Sequence, residues 1–196
     1  PDEISLEKNP MLEAGLSLFI NAKYAEASKL FDNILNEDPQ NQDALYHNGC
    51  AQSYLYNHDM ALKYFDELLQ INPKHIEALY HKGIELSVVG KHCESINAFD
   101  SVVDLDENHK NALLNKGRSL AILSKNDVAI SCYDKVLEKD SKNTEALYLK
   151  GSLLQKENHN IEAIQCYQNT IQIEPNHKLS HYNLGLIFTS IGEHEK

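Results

Sequence analysis

The chain has 196 residues, 42% hydrophobic and 24% charged, which excludes a disordered polar chain, a collagen-like repeat and a disulfide miniprotein. Its 29 acidic side chains outnumber 18 basic ones for a net charge of −11, so a nucleic-acid backbone or an anionic membrane is disfavoured as a partner. The cysteines (Cys50, Cys93, Cys132, Cys166) form no C-x-x-C pair and read as buried thiols of a reducing compartment, which points to the cytoplasm.

No apolar run approaches the roughly 18 residues of a membrane span, and no secretory leader pattern opens the chain. The chain begins at Pro1 rather than Met, which suggests a piece of a longer protein. After a lead-in segment (1–7), one register organises everything that follows. Gly15, Gly49, Gly83, Gly117, Gly151 and Gly185 recur at a spacing of 34. Twelve residues after each of the first five glycines stands a small residue (Ala27, Ala61, Ser95, Ala129, Ala163), and four further on an aromatic (Phe31, Phe65, Phe99, Tyr133, Tyr167). The complete units are 8–41, 42–75, 76–109, 110–143 and 144–177, and a sixth starts at Lys178.

Each unit holds two stretches of helical period. In the second unit Leu45, Gly49 and Ser53 share one face, and Ala61, Phe65, Leu68 and Leu69 form a stripe at i, i+4, i+7, i+8. Leu79, Gly83 and Leu86 repeat the first pattern in the third unit. Gly90, Asn126, Asn158 and Gly192 mark the turn within a unit, because they tolerate a left-handed helix end. Pro39, Pro73 and Pro175 stop second helices, and the Asn or His that follows, with Asp, Glu or Thr next, caps the following helix. Each registered glycine marks a close crossing of the two helices of its unit, with the small residue twelve later facing it. Strand alternation is absent, so the fold class is all-α.

This pattern resembles the tetratricopeptide repeat family over nearly the whole chain, as in "ALYHNGCAQSYLYNHDMALKYFDELLQINP" and "EALYLKGSLLQKENHNIEAIQCYQNTIQIEP". Leucine replaces the family's usual tryptophan at Leu45, Leu79, Leu113 and Leu147. Asn48, Lys82, Lys116 and Lys150 stand where an aliphatic residue is usual; a lysine stem covers apolar surface while its ammonium reaches water. The resemblance implies a right-handed superhelical solenoid of antiparallel helix pairs, with a concave groove lined by first helices that holds a partner peptide or helix.

By the same analogy the groove positions are Leu12, Leu16, Phe19, Tyr46, Cys50, Tyr80, Ile84, Leu114, Arg118, Tyr148, Lys156 and Tyr182. One position reads Leu12, Tyr46, Tyr80, Leu114, Tyr148, Tyr182, a ladder of large side chains suited to binding, although the tyrosines can equally pack on their neighbours. Apolar groove residues, Ile20 and Tyr54 among them, gather in the first three units; Arg118, Ser152, Gln155 and Lys156 follow. That asymmetry suggests an apolar anchor first and a polar or acidic contact further on, unless upstream chain covers the first unit.

Other chemistries find little support. The family's carboxylate clamp is not assembled by Leu12, Leu16, His47, Glu77 and His81, nor an asparagine ladder by Glu13, His47, His81, Asn115, Leu149 and Asn183. His47 and His81 sit a repeat apart, too far to share a metal, and His75, His109 and His177 are loop residues. Cys132 and Cys166 are expected to pack between units, while Cys50 on the groove face is open to exposure but lacks a base. No catalytic constellation, metal or cofactor site can be built, so the chain reads as a non-catalytic interaction scaffold. A regulatory, substrate-selecting segment of a larger enzyme and a self-assembly module are the alternatives. Asp32, Asp66, Asp100 and Asp134 read as a solvated face. The sixth unit's first helix, near Lys178–Ile191, would leave Leu184, Gly185 and Phe188 uncovered; "GEHEK" would begin the next turn. The native chain is therefore expected to continue past Lys196, and this piece to self-associate through its C-terminal end.

Overall fold

The computed structural model describes residues 9–194; the lead-in segment 1–7 lies outside them. Eleven helices and no strand occur among the described residues. They fall into two compact lobes. The N-terminal lobe (Pro1–Leu105) holds α1 (Pro10–Ile20), α2 (Tyr24–Glu37), α3 (Gln42–Tyr54), α4 (His58–Ile71), α5 (Ile76–Val88) and α6 (His92–Leu105). The C-terminal lobe (Asp106–Lys196) holds α7 (Lys110–Ile122), α8 (Asn126–Lys139), α9 (Thr144–Lys156), α10 (Asn160–Ile173) and α11 (Lys178–His194).

The first helix of each pair is capped by a side chain that accepts a first-turn amide proton, whereas α2, α4, α8 and α10 have no side-chain cap. Asn41 Oδ1 accepts from the Ala44 amide at 3.0 Å and Asn143 Oδ1 from Ala146 at 2.9 Å. At the same register position the ring nitrogens of His75, His109 and His177 do this for Ala78, Ala112 and Ser180. These histidines are therefore helix caps.

The turns inside the pairs show a correction. The left-handed residue is Ala22, Tyr56, Gly90, Ser124 or Asn158, again spaced by 34. Asn126 is instead the first residue of α8, because Ser124 already makes the turn. Gly192 lies within α11, so the expected turn does not form there; Glu195 and Lys196 of that segment are outside the described residues. Each turn closes with an amide reaching back five residues, as Lys91 N to Leu86 O at 2.8 Å, which satisfies a carbonyl the helix end leaves open.

Consecutive helices pack antiparallel as pairs, and each pair stacks on the next within its lobe. The glycines set the closeness of the pairs. A Cβ on Gly83 would lie 2.6 Å from Phe99 Cε1, and Gly15, Gly49 and Gly117 meet Phe31, Phe65 and Tyr133 as closely. The expected crossing is there, but the aromatic sixteen residues on fills the contact rather than the small residue. Only a ring is long enough to span from the second helix to the first. The small residues are buried beside it, and in the third repeat Ser95 Oγ donates to Gly83 O at 2.8 Å. At Gly185 nothing lies within 4 Å, since no second helix follows α11 among the described residues.

Within each lobe successive repeats are joined by a polar ladder, so Asp32, Asp66 and Asp134 are not simply the solvated face expected of them. Asn48 Nδ2 donates to Asp32 Oδ1 at 2.6 Å, Lys82 Nζ lies 2.6 Å from Asp66 Oδ1, and Lys150 Nζ lies 2.5 Å from Asp134 Oδ1. Asp32, Asp66 and Asp134 thus each meet the residue sixteen later on the next first helix. Asn48 is fully buried and adds Ser28 Oγ at 2.7 Å, while Tyr64 OH also donates to Asp32. The lysine stems lie partly buried with their ammonium groups at the aspartates, as expected of such stems. No helix among the described residues is long and apolar enough to cross a membrane.

Candidate partner-binding surface

The first helices of successive repeats touch one another, α1 on α3 and α3 on α5 in one lobe and α9 on α11 in the other, more closely than the second helices do. Each lobe therefore curves toward its first helices. Leu12, Leu16 and Phe19 (α1), Tyr46 (α3), Tyr80 and Ile84 (α5), Arg118 (α7) and Tyr148 (α9) are half-buried there, with one side packed and the other in solvent. Lys156 and Tyr182 are exposed. Leu114 is 3% exposed, so it supports the surface from beneath.

Cys50, whose thiol was expected to be open to exposure, is buried. Burial, the dominant cause, and the nearby Glu85 carboxylate push its pKa up to about 12, against a smaller opposing hydrogen bond with Tyr46. The thiol stays protonated at neutral pH and is no nucleophile. Cys93 is the exposed cysteine, a second correction, because its register position is also exposed at Ala25, Asp59, Asp127 and Ile161. Cys132 and Cys166 are buried.

Aromatic rings line the N-terminal lobe's face. Tyr24 and Tyr54 stack at 4.5 Å with planes 6° apart, and Phe19 meets both edge-on at 5.3 and 5.7 Å. Tyr46 packs among His47, His75 and His81, and burial raises its pKa well above the usual phenol range. The packing reading of the tyrosines holds here, since Tyr46 and Tyr80 contact the buried rings Phe65 and Phe99, and both keep an outward side. In the C-terminal lobe Tyr148 packs on Tyr167 and His177. Arg118, expected to meet an acidic ligand group, already pairs with Glu145 and Asn115.

His47 and His81 stack on the buried rings of the preceding repeat, Phe31 and Phe65, at 5.9 and 6.0 Å. Burial lowers both pKa values below 6.5, against smaller opposing effects of Asp43 on His47 and of Glu85 and Glu77 on His81. The unfolded chain then binds more protons than the folded one below pH 6.5, so stability falls as pH drops through that value. Chemical denaturation at pH 7 and 5.5 checks this. Replacing both His47 and His81 with phenylalanine, which preserves stacking, should shrink the loss seen in the parent chain, and identical losses would refute the assignment.

One feature was not expected from the sequence. Glu85 on α5 is 2% exposed, accepting from Ser53 Oγ at 2.5 Å while lying 2.6 Å from His58 Nδ1. This carboxylate ties α3, α4 and α5 together beneath the face. The serine donates to the carboxylate rather than to the histidine, so the trio lacks the order of a nucleophilic triad. A signal was available: the equivalent positions hold Ser17, Ala51, Ser119 and Leu153, so a charged residue stands out in that register.

The tetratricopeptide repeat family profile matches residues 42–75 and 144–177. No curated protein matches the chain. Among solved structures, a tetratricopeptide repeat protein from Parabacteroides merdae superposes with TM-score 0.84 at 17% identity, covering 93% of this chain and 73% of that one. YrrB, described as a tetratricopeptide protein with an unusual peptide-binding site, gives 0.80 at 21% identity, over 90% of this chain and 91% of its own. MamA from Desulfovibrio magneticus gives 0.81 at 17%, over 86% and 95%. These structures share the all-α solenoid of helix pairs. Two of the chain's 34-residue units, 42–75 and 144–177, thus match the tetratricopeptide repeat model, and the whole chain shares the helix-pair solenoid fold of these structures.

Proposed function

We propose that the chain is a scaffold that holds a partner peptide or helix against its first-helix faces, in the cytoplasm, with no catalysis of its own. The observation that carries this is the pair of half-buried tyrosines at one register position, Tyr46 and Tyr80, whose rings are anchored below and open above. Such pre-positioned aromatics offer contact area at little further entropic cost. The hollows agree with a surface rather than a reaction chamber: one of about 280 Å³ lined by Leu79, Lys82, Leu86 and Ser101 opens widely to solvent. A peptide selected from a displayed library against the chain supplies the test. Tyr80→Ala should weaken its binding by about 1–2 kcal/mol with little change in melting temperature. Normal binding with a much lower melting temperature would make the pair structural instead.

A second reading, self-association through the C-terminal end, is favoured by α11. A Cβ at Gly185 there would meet nothing within 4 Å, and Phe188 beside it is 54% exposed.

A further inference from the structure

The N-terminal lobe's face is apolar along one edge. Ile20, Tyr54 and Val88 occupy the same register position near the C-terminal ends of α1, α3 and α5, and are 81%, 58% and 58% exposed. Phe19 and Tyr24 extend this edge through their ring contacts with Tyr54. Charge distinguishes the opposite edge. Asp43 and Glu77 lie in the first turns of α3 and α5, both exposed, and Glu13 lies in that of α1. Asp43 precedes Tyr54 by eleven residues, as Glu77 precedes Val88, and eleven residues bring a helix back to nearly the same face about 16 Å along its axis. Glu13 and Ile20, seven apart, share a face at about 10 Å. All three helices thus carry an acid at one end and an exposed apolar side chain at the other, on one stripe.

Cationic side chains are scarce on these three helices, although His75 Nδ1 lies 3.4 Å from Glu77. The one lysine or arginine of α1, α3 and α5 is Lys82, which is bound to Asp66 of α4. Residues 1–105 hold 17 acidic against 7 basic side chains, whereas residues 106–196 hold 12 against 11. The lobe therefore carries nearly all of the chain's net negative charge.

We infer that this face takes a cationic amphipathic helix of a partner protein, lying across α1, α3 and α5. Its apolar side rests on Ile20, Tyr54 and Val88, and its lysines or arginines meet Asp43 and Glu77. A helix is roughly 10–12 Å across with its side chains, which matches the separation of the two edges once long basic side chains reach outward. Like charge disfavours a second copy of this acidic lobe as the occupant. The inference rests on the first-helix faces being the binding surface, and it adds the chemistry of what binds.

The test uses a labelled helix of about 18 lysines and leucines on opposite faces, and its glutamate–leucine counterpart, in fluorescence anisotropy against the whole chain. The lysine helix should bind, the glutamate helix should not, and raising salt from about 0.05 to 0.5 M should weaken binding severalfold. Asp43→Asn with Glu77→Gln should cost about tenfold in affinity, and Tyr54→Ala should cost a comparable factor. Asp59→Asn with Glu94→Gln, the same charge change at the starts of α4 and α6, should cost much less. Equal losses in the two charge variants would reduce the effect to bulk attraction and overturn the inference. Binding of the glutamate helix alone, lost in Tyr80→Ala, would overturn the cationic partner and leave the binding face standing. If neither helix responds to Tyr54→Ala or Tyr80→Ala, both readings fall. A change of oligomeric state in Tyr54→Ala, with no helix bound, would make the face a self-contact and also overturn the inference.

Discussion

Replacing Gly83 with leucine should lower the melting temperature sharply, at a cost of about 1–3 kcal/mol or more. A bare Cβ there would already sit 2.6 Å from Phe99 Cε1, and Phe99 is fully buried. The ring cannot swing aside, because it lies at the centre of the α5–α6 contact, so the two helices must part. In a stacked array that damage spreads to neighbours through their shared faces, here from α5 to α4. Hydrogen exchange should therefore rise across residues 76–109 and into α4, and unchanged exchange over 76–109 would count against this packing. Gly185→Ala is the matched control. That glycine is helical with nothing within 4 Å, so alanine should stabilise by about 0.5–1 kcal/mol through backbone entropy alone.

The second large effect is expected in solution state. The chain should self-associate as concentration rises, and Phe188→Glu should suppress this without unfolding the other repeats. Phe188 and Tyr182 are 54% and 64% exposed, on either side of the notch at Gly185. A ring from a second copy can enter that notch as Phe99 enters the one at Gly83, and a two-fold contact would satisfy both copies. The C-terminal lobe is nearly neutral, so charge does not oppose the contact as it would at the N-terminal lobe. Leu184, at first grouped with the uncovered residues, packs half-buried against Cys166, Tyr167 and Ile187 and is left unchanged. Sedimentation over a concentration series reads the result; a monomer at the highest attainable concentration would disprove it.

The repeat register was legible because a solenoid writes the same local demands into every turn of the array. A glycine at each crossing, an aromatic sixteen later and a cap before each first helix follow from packing within one repeat, so periodicity alone reveals them. The half-turns were less legible, since Ala22, Tyr56 and Ser124 take the left-handed conformation without being glycine. What holds such residues there is the backbone amide hydrogen bond closing the turn and the packing of the helices on either side.

Contacts between repeats were decided by tertiary structure. An aspartate on the outer stripe of α4 looks solvated until Lys82 of the next repeat arrives beside it, and periodicity cannot say which neighbour a repeated residue meets. The same holds for Cys50, which is buried by neighbouring side chains although its helix position faces the concave side. Glu85 is the clearest case. Helical period placed it on α5, but its burial depends on Ser53 and His58 from two other helices converging on both carboxylate oxygens, a three-body arrangement that occurs once. Sequence alone thus determined the helices, their pairing and the likeness of one repeat to the next, because those arise from short-range packing repeated in register. Tertiary structure decided which polar groups are partnered and which faces stay open, because that depends on side chains brought together from different repeats.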